Sequence, residues 1–242
     1  MSDGTGTALV FGGSRGIGAA IVTRLAQDGF DVGFTYVSRP DSAEALVSSI
    51  EPMGRKAIAI RADSADPKAL RAAVTQAVKH LGTLDVAVVN AGVLRPGTVG
   101  ELSLKDLDLM LDVNVRGVFL AIQAAAADMQ DGGRIITIGS NTAVRTGSQG
   151  SSVYAATKAA VAAMVKGAAL DLAPRAITVN NIQPGPTQTD MTAAMISRLA
   201  KIIPLGRVGR PEEIAALASF LARGESGYMT GASLTIDGGY VL

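Results

Sequence analysis

The chain has no cysteine and no tryptophan, and its 242 residues include a single histidine. The missing thiols exclude disulfides, thiolate metal sites and cysteine nucleophiles together, and leave the redox compartment open. His80 has no second imidazole with which to share a metal. Its place at the end of the helical pattern Pro67 to His80 reads as a solvated surface position, so no metal site is expected. Aromatic residues make up only 4% and charged residues 18%, with a net charge of +1. The basic residues are scattered, so the electrostatic footprint of a nucleic-acid binder is lacking. No run of about 18 apolar residues offers a membrane span. The segment Met1-Ser2-Asp3-Gly4 carries neither the basic nor the apolar region of a signal peptide. Together these absences predict a soluble, cytoplasmic protein that binds neither nucleic acid nor membrane.

What the chain does have is 28 glycines and a hydrophobic content of 48%, the composition of a compact core with many close backbone approaches. Thr7-Ala8-Leu9-Val10-Phe11 is a short apolar run that ends in glycines, and Ile17, Ile21, Val22 and Leu25 follow at helical spacing. This is strand, turn, helix. The pattern recurs as strand Asp31 to Tyr36, helix Ser42 to Met53, strand Lys56 to Arg61, helix Pro67 to His80 and strand Leu84 to Val89. A helix-rich stretch from about Ser103 to Met129 then leads to strand Arg134 to Ile138, helix Ser152 to Leu172 and strand Ile177 to Ile182. Helix Pro211 to Leu221 and strand Ser233 to Ile236 close the chain. Such alternation requires right-handed crossovers and a parallel sheet. About seven strands without a low-complexity linker predict one α/β domain over residues 1–242, a Rossmann-type doubly wound sheet with helices on both faces. The helix Ser152 to Leu172 is rich in alanine, at Ala155, Ala156, Ala159, Ala160, Ala162 and Ala163. Small side chains on several faces permit packing on a neighbouring subunit, and simple helix propensity would produce the same composition.

Open parallel sheets bind ligands beyond the carboxyl ends of their strands. The first such end here is Phe11-Gly12-Gly13-Ser14-Arg15-Gly16-Ile17-Gly18. Glycines allow the backbone to approach a pyrophosphate, whose charge is held by free N–H groups and the positive end of the helix beginning there. At the end of the second strand, where an acid would accept from a ribose 2′-hydroxyl, the chain has Tyr36-Val37-Ser38-Arg39 instead. Arg39, with Ser38 beside it and Arg15 in the glycine loop, can neutralise a 2′-phosphate, which favours NADPH over NADH.

The loop spacing Gly-x-x-x-Gly-x-Gly resembles that of the short-chain dehydrogenase/reductase family, with Phe11 where that family usually has threonine. The resemblance stays in register along nearly the whole chain, and it implies most of the site. Gly12, Ser14, Arg15, Gly16, Ile17 and Gly18 would bind the cofactor phosphates, Asp63-Ser64 would meet the adenine, and Asn90-Ala91-Gly92 matches the family's Asn-Ala-Gly motif. Asn114 matches the asparagine that holds a proton-relay water, Ser140 the catalytic serine, and Tyr154 and Lys158 the Tyr-x-x-x-Lys pair. Pro184-Gly185-Pro186-Thr187, with Thr189 beyond it, matches the loop that clamps the nicotinamide amide. The implied activity is hydride transfer from NADPH to a carbonyl, and the implied assembly is a homotetramer with the end Tyr240-Val241-Leu242 at a subunit contact.

The chemistry needs these residue types. Positions i and i+4 share a helix face, so Lys158 is expected to hold its ammonium near the Tyr154 phenol and lower its pKa toward neutrality. Such a tyrosine can give a proton to the developing alkoxide, which Ser140 would stabilise. The substrate loops are expected around Val93 to Thr98, Ala143 to Ser151 and Thr187 to Pro204. Met191, Met195, Ile196 and Leu199 in the last of these suit an apolar carbonyl compound, and a lid packing on the domain itself would use the same residues. A second reading competes. Gly13-Ser14-Arg15, Ala62 to Asp66 and Gln183 to Pro186 also resemble a cyclic-di-GMP-binding signalling protein of the same fold.

Overall fold

The computed structural model describes residues 6–190 and 192–242. Its strands are β1 (Thr7–Phe11), β2 (Asp31–Tyr36), β3 (Ala57–Arg61), β4 (Val86–Val89), β5 (Arg134–Ile138), β6 (Thr178–Pro184) and β7 (Ser233–Ile236). All seven join one sheet in the order β3-β2-β1-β4-β5-β6-β7, every neighbouring pair parallel. The helices are α1 (Gly16–Gln27), α2 (Pro40–Ile50), α3 (Pro67–Leu81), α4 (Leu104–Leu111), α5 (Gly117–Asp128), α6 (Ser152–Leu172), α7 (Ile196–Ala200) and α8 (Pro211–Ala222). This is the doubly wound architecture expected.

Each central strand is buried on both sides, so its sequence reads as an unbroken apolar run although its side chains alternate. Leu9, Phe11, Val89, Ile135 and Val179 point to one face, where α3, α5 and α6 cover them. Ala8, Val10, Val88, Ile136 and Ile182 point to the other, under α1, α2 and α8. Phe11, Phe34, Ile135 and Ile136 are among the largest fully buried side chains, each stabilising by roughly 1.5–3 kcal/mol.

Several boundaries move for local reasons. The α2 helix begins two residues early because Pro40 takes the first helical turn, where its missing N–H costs nothing, and a 3-10 turn (Glu51–Met53) completes the segment. β4 begins at Val86, and β6 runs on to Pro184 because β7 pairs with it as far as Pro184↔Ile236. The stretch from Leu104 to Asp128 is continuous but contains a π-helical segment, Asp112–Arg116. That stretch and Ser152–Arg175 are each long and apolar enough to cross a membrane by length and composition. A search for unbroken apolar runs misses them because interspersed polar residues break the run. Here both pack against the sheet, α5 on β4 and α6 on β6.

The strand order reverses between β1 and β4, which opens the crevice at their carboxyl ends. The chain leaves that edge at Gly12, Val37, Ala62, Asn90, Gly139 and Gly185, the positions where the sequence carries its polar motifs.

Candidate active site

The glycine loop is shaped for close approach. A Cβ at Gly18 would lie 2.1 Å from the Gly12 carbonyl oxygen and 2.7 Å from the Asn90 amide nitrogen. At Gly12, with φ of 77°, it would meet the Ala91 backbone at 2.9 Å. Asn90 donates from Nδ2 to the Gly12 carbonyl at 2.7 Å, so it supports the loop from beneath. Thr35, a polar residue buried in an apolar strand, adds a clamp that the sequence reading missed. Gly12 N–H donates to its Oγ1 and Gly13 N–H to its carbonyl, both at 2.9 Å. α1 starts at Gly16 with no side-chain cap on its N-terminus and no acid in its first turn. Its first N–H groups are therefore free to receive an anion, and the cradle fits a dinucleotide pyrophosphate.

Arg15 and Arg39 both lie at the rim, exposed, with Ser38 exposed beside them. Arg39 holds φ of 64°, a left-handed conformation that a non-glycine residue adopts at a cost of about 1 kcal/mol or more. Such strain is typical of a ligand-facing turn. Asp63 is exposed and turns the chain by accepting from the Ala65 N–H at 2.9 Å, while Ser64 is buried. The Ser64 carbonyl comes so near α5 that a Cβ at Gly117 would lie 2.4 Å from it.

At the other half of the crevice the four catalytic candidates converge. α6 brings Tyr154 and Lys158 under the end of β5, where the Lys158 ammonium donates to the Ile138 carbonyl at 3.0 Å and lies 5.7 Å from the Tyr154 ring centre. Ser140 sits beside Tyr154, and its Oγ accepts from the Thr142 N–H at 3.2 Å and the Thr142 hydroxyl at 2.9 Å. Thr142 is a second residue that the sequence reading missed. With its oxygen doubly engaged, Ser140 retains its own hydrogen for donation.

Asn114 is fully buried in the π segment, a wide turn often found at functional sites. Its Oδ1 accepts from Val93 N–H at 2.8 Å, and its Nδ2 donates to Val93 O at 2.8 Å and Thr157 Oγ1 at 3.3 Å. Both donors are spent on the protein, and one lone pair of Oδ1 is left. A Cβ at Gly92 would stand 3.4 Å from Lys158 Nζ and 3.5 Å from Asn114 Oδ1, so this glycine keeps the space before both groups open.

One expectation is corrected. Burial pushes the Tyr154 phenol above its ordinary value, and the neighbouring Ser140 hydroxyl draws it only partly back. The Lys158 ammonium sits over the ring and bonds to the Ile138 carbonyl, and burial pushes its own pKa down to about 8. Desolvation therefore outweighs the Tyr–Lys attraction in the protein alone.

The loop after β6 closes the front. Gly185 N–H donates to Ile236 O at 2.9 Å, and the buried Thr187 donates to Gly185 O at 3.0 Å. Thr189 lies against the glycine loop, with its Cγ2 at 3.3 Å from a Cβ placed on Gly16. Beyond it Met195 is exposed and Ile196 and Leu199 are half-buried; Met191, grouped with them from the sequence, lies outside the described residues. Asp237 ties the chain end to this region, accepting from Asn141 Nδ2 and Val241 N–H at 3.1 Å. Among the described residues no cluster of metal-ligating side chains occurs.

Comparison with known proteins places this geometry in context. Residues 12–241 match a family model described as enoyl-(acyl carrier protein) reductase. A cyclic-di-GMP-binding biofilm dispersal mediator protein of Escherichia coli K12 is 42% identical over 97% of this chain and 96% of its own. A 3-oxoacyl-[acyl-carrier-protein] reductase of Staphylococcus aureus Mu50 is 39% identical over 98% of this chain and 99% of its own. Among solved structures, a short-chain dehydrogenase from Burkholderia cenocepacia J2315 in complex with NADP superposes with a TM-score of 0.94. It is 47% identical, and the match covers 97% of each chain.

Proposed function

Because the chain belongs to the short-chain dehydrogenase/reductase family, we propose that it uses NADPH to reduce a ketone or other carbonyl compound to an alcohol, with Tyr154 as proton donor. The observation that carries this reading is the meeting of Tyr154, Ser140 and Lys158 at the end of β5, across the crevice from the glycine cradle. When bound, NADPH supplies the hydride. The free N–H groups of Gly16, Ile17 and Gly18 would hold its pyrophosphate, Ser38, Arg15 and Arg39 would hold its 2′-phosphate, and Asp63 and Ser64 would meet its adenine. Asn90, Ala91 and Gly92 line the floor, and Pro184, Gly185, Thr187 and Thr189 form the front wall.

Tyr154, whose phenol burial pushes above its ordinary value, gives its proton to the carbonyl oxygen as charge develops there. Ser140, oriented by Thr142, donates its remaining hydrogen to the same oxygen. Lys158 places a cation behind the phenol and stabilises the phenolate left after transfer, and the free lone pair of Asn114 holds a water that returns the proton. Apolar side chains on the loop from Met195 to Leu205 favour an apolar substrate. The exposed Leu104, Phe119, Leu170 and Leu242 favour assembly into a homotetramer.

A second reading keeps a specific support, the 42% identity to a cyclic-di-GMP-binding protein. One experiment separates the two. A panel of ketones, quinones and acyl thioesters is followed by NADPH oxidation, with cyclic di-GMP titrated in the presence and absence of NADPH. Turnover of any carbonyl, lost in Tyr154→Phe, supports the reductase. Tight cyclic-di-GMP binding with no turnover across the panel would replace it with a nucleotide sensor.

A further inference from the structure

The rim of the glycine cradle holds a charge arrangement that the phosphate assignment leaves unexplained. Asp190, one residue beyond Thr189, places its Oδ2 3.4 Å from Arg15 Nη1 and 3.5 Å from Arg39 Nη1. These arginines come from different parts of the chain, the β1–α1 loop and the β2–α2 turn, and they converge on this one carboxylate. Among the described residues neither arginine pairs with any other acid. Thr189, packed on Gly16, delivers the carboxylate there, and the Thr192 hydroxyl braces the turn by donating to the Thr187 carbonyl.

We propose that Asp190 is a specificity-determining residue: its carboxylate competes with the cofactor 2′-phosphate for Arg15 and Arg39, and so holds down the preference for NADPH over NADH. The inference rests on the assignment of those arginines to the 2′-phosphate. The reasoning is electrostatic. Two guanidinium groups alone present two positive charges to a phosphate that carries about −1.5 to −2 at pH 7. A carboxylate already between them cancels one of these charges and repels the arriving dianion. NADH, with a neutral 2′-hydroxyl, meets no such penalty. All three side chains are well exposed, at 61–65%, so solvent screens the effect and its scale is that of one or two surface ion pairs. Asp190 thus acts through the arginines and touches no reacting atom.

The test is calorimetric titration of NADPH and NADH into the whole protein, the Asp190→Asn and Asp190→Glu variants, Arg39→Ala, and Asp190→Asn in an Arg15→Ala/Arg39→Ala background. Asp190→Asn should bind NADPH about three- to tenfold more tightly, with NADH unchanged and the gain shrinking as salt is raised. Asp190→Glu, which keeps the charge, should resemble the parent, and in the double-arginine background the gain should vanish. A shared shift for both cofactors would mean that Asp190 only shapes the loop, and unchanged or weaker NADPH binding would show no competition; either result overturns the proposal. Failure of the underlying assignment is read separately. If Arg39→Ala lost NADPH and NADH affinity equally, the 2′-phosphate would not lie at these arginines, whatever Asp190 did.

Discussion

Lys158 is fully enclosed, its ammonium bonded to one backbone carbonyl, and among the described residues no carboxylate pairs with it. Burial lowers its pKa from 10.5 to about 8, a difference that corresponds to roughly 3 kcal/mol by which the folded state disfavours the charged lysine. The sign follows from proton counting. Below pH 8 both folded and unfolded chains hold the proton, and the full cost is present. Between about 8 and 10.5 the folded chain has shed it while the unfolded chain has not, so stability climbs with pH across this window. Lys158→Met replaces the stem with similar volume and removes the charge. Losing the hydrogen bond to Ile138 O costs about 1 kcal/mol, so the variant should be more stable at pH 7 by about 2 kcal/mol while turnover collapses. Urea unfolding of both proteins at one concentration, at pH 7 and pH 10, measures this. The advantage of the variant should shrink at the higher pH. An advantage that is absent at pH 7, or that stays flat to pH 10, would refute the argument that the protein strains itself to hold a cation beside Tyr154.

Four further outcomes are expected. Tyr154→Phe removes one oxygen from the crevice and should cut turnover by about 10²–10⁴-fold while calorimetry shows NADPH affinity near that of the parent. Thr142→Val deletes one of the two donors that orient Ser140, and a loss of about 1 kcal/mol should appear as a several-fold fall in kcat with little change in NADPH binding. Gly18→Ala drives a methyl into the Gly12 carbonyl, so the thermal midpoint should drop with a loss of roughly 2–4 kcal/mol, together with cofactor affinity. Arg39→Ala should weaken NADPH by about 1.5–3 kcal/mol in titration and leave NADH nearly unchanged.

Fold and site were legible in the sequence to different depths. The alternation of apolar runs with helical spacing specifies a parallel sheet, because strands covered on both faces leave no other pattern, and every strand was found within two residues of its expected limits. Gly12 and Gly18 announced the cradle, since a turn pressed against a backbone leaves no room for Cβ, and Gly16 between them turns with a positive φ. Tyr154 and Lys158 are neighbours through helix geometry alone, and local spacing displays such neighbours.

What the sequence could not show were contacts between residues distant along the chain. Asn114 reaches Val93, 21 residues away, through a π turn that no residue type announces. Asp190 meets Arg15 and Arg39 across 175 and 151 residues. The direction of the Tyr154 shift belongs to the same class. Composition and spacing state which charges can approach a phenol, but desolvation depends on every atom packed around it, and here packing outweighs the nearby cation. By itself the sequence determined the sheet, the glycine cradle and the neighbouring positions of Tyr154 and Lys158 on one helix, because each is local in the chain. The protonation balance and the rim electrostatics were decided by tertiary structure, because they are sums over neighbours that only folding brings together.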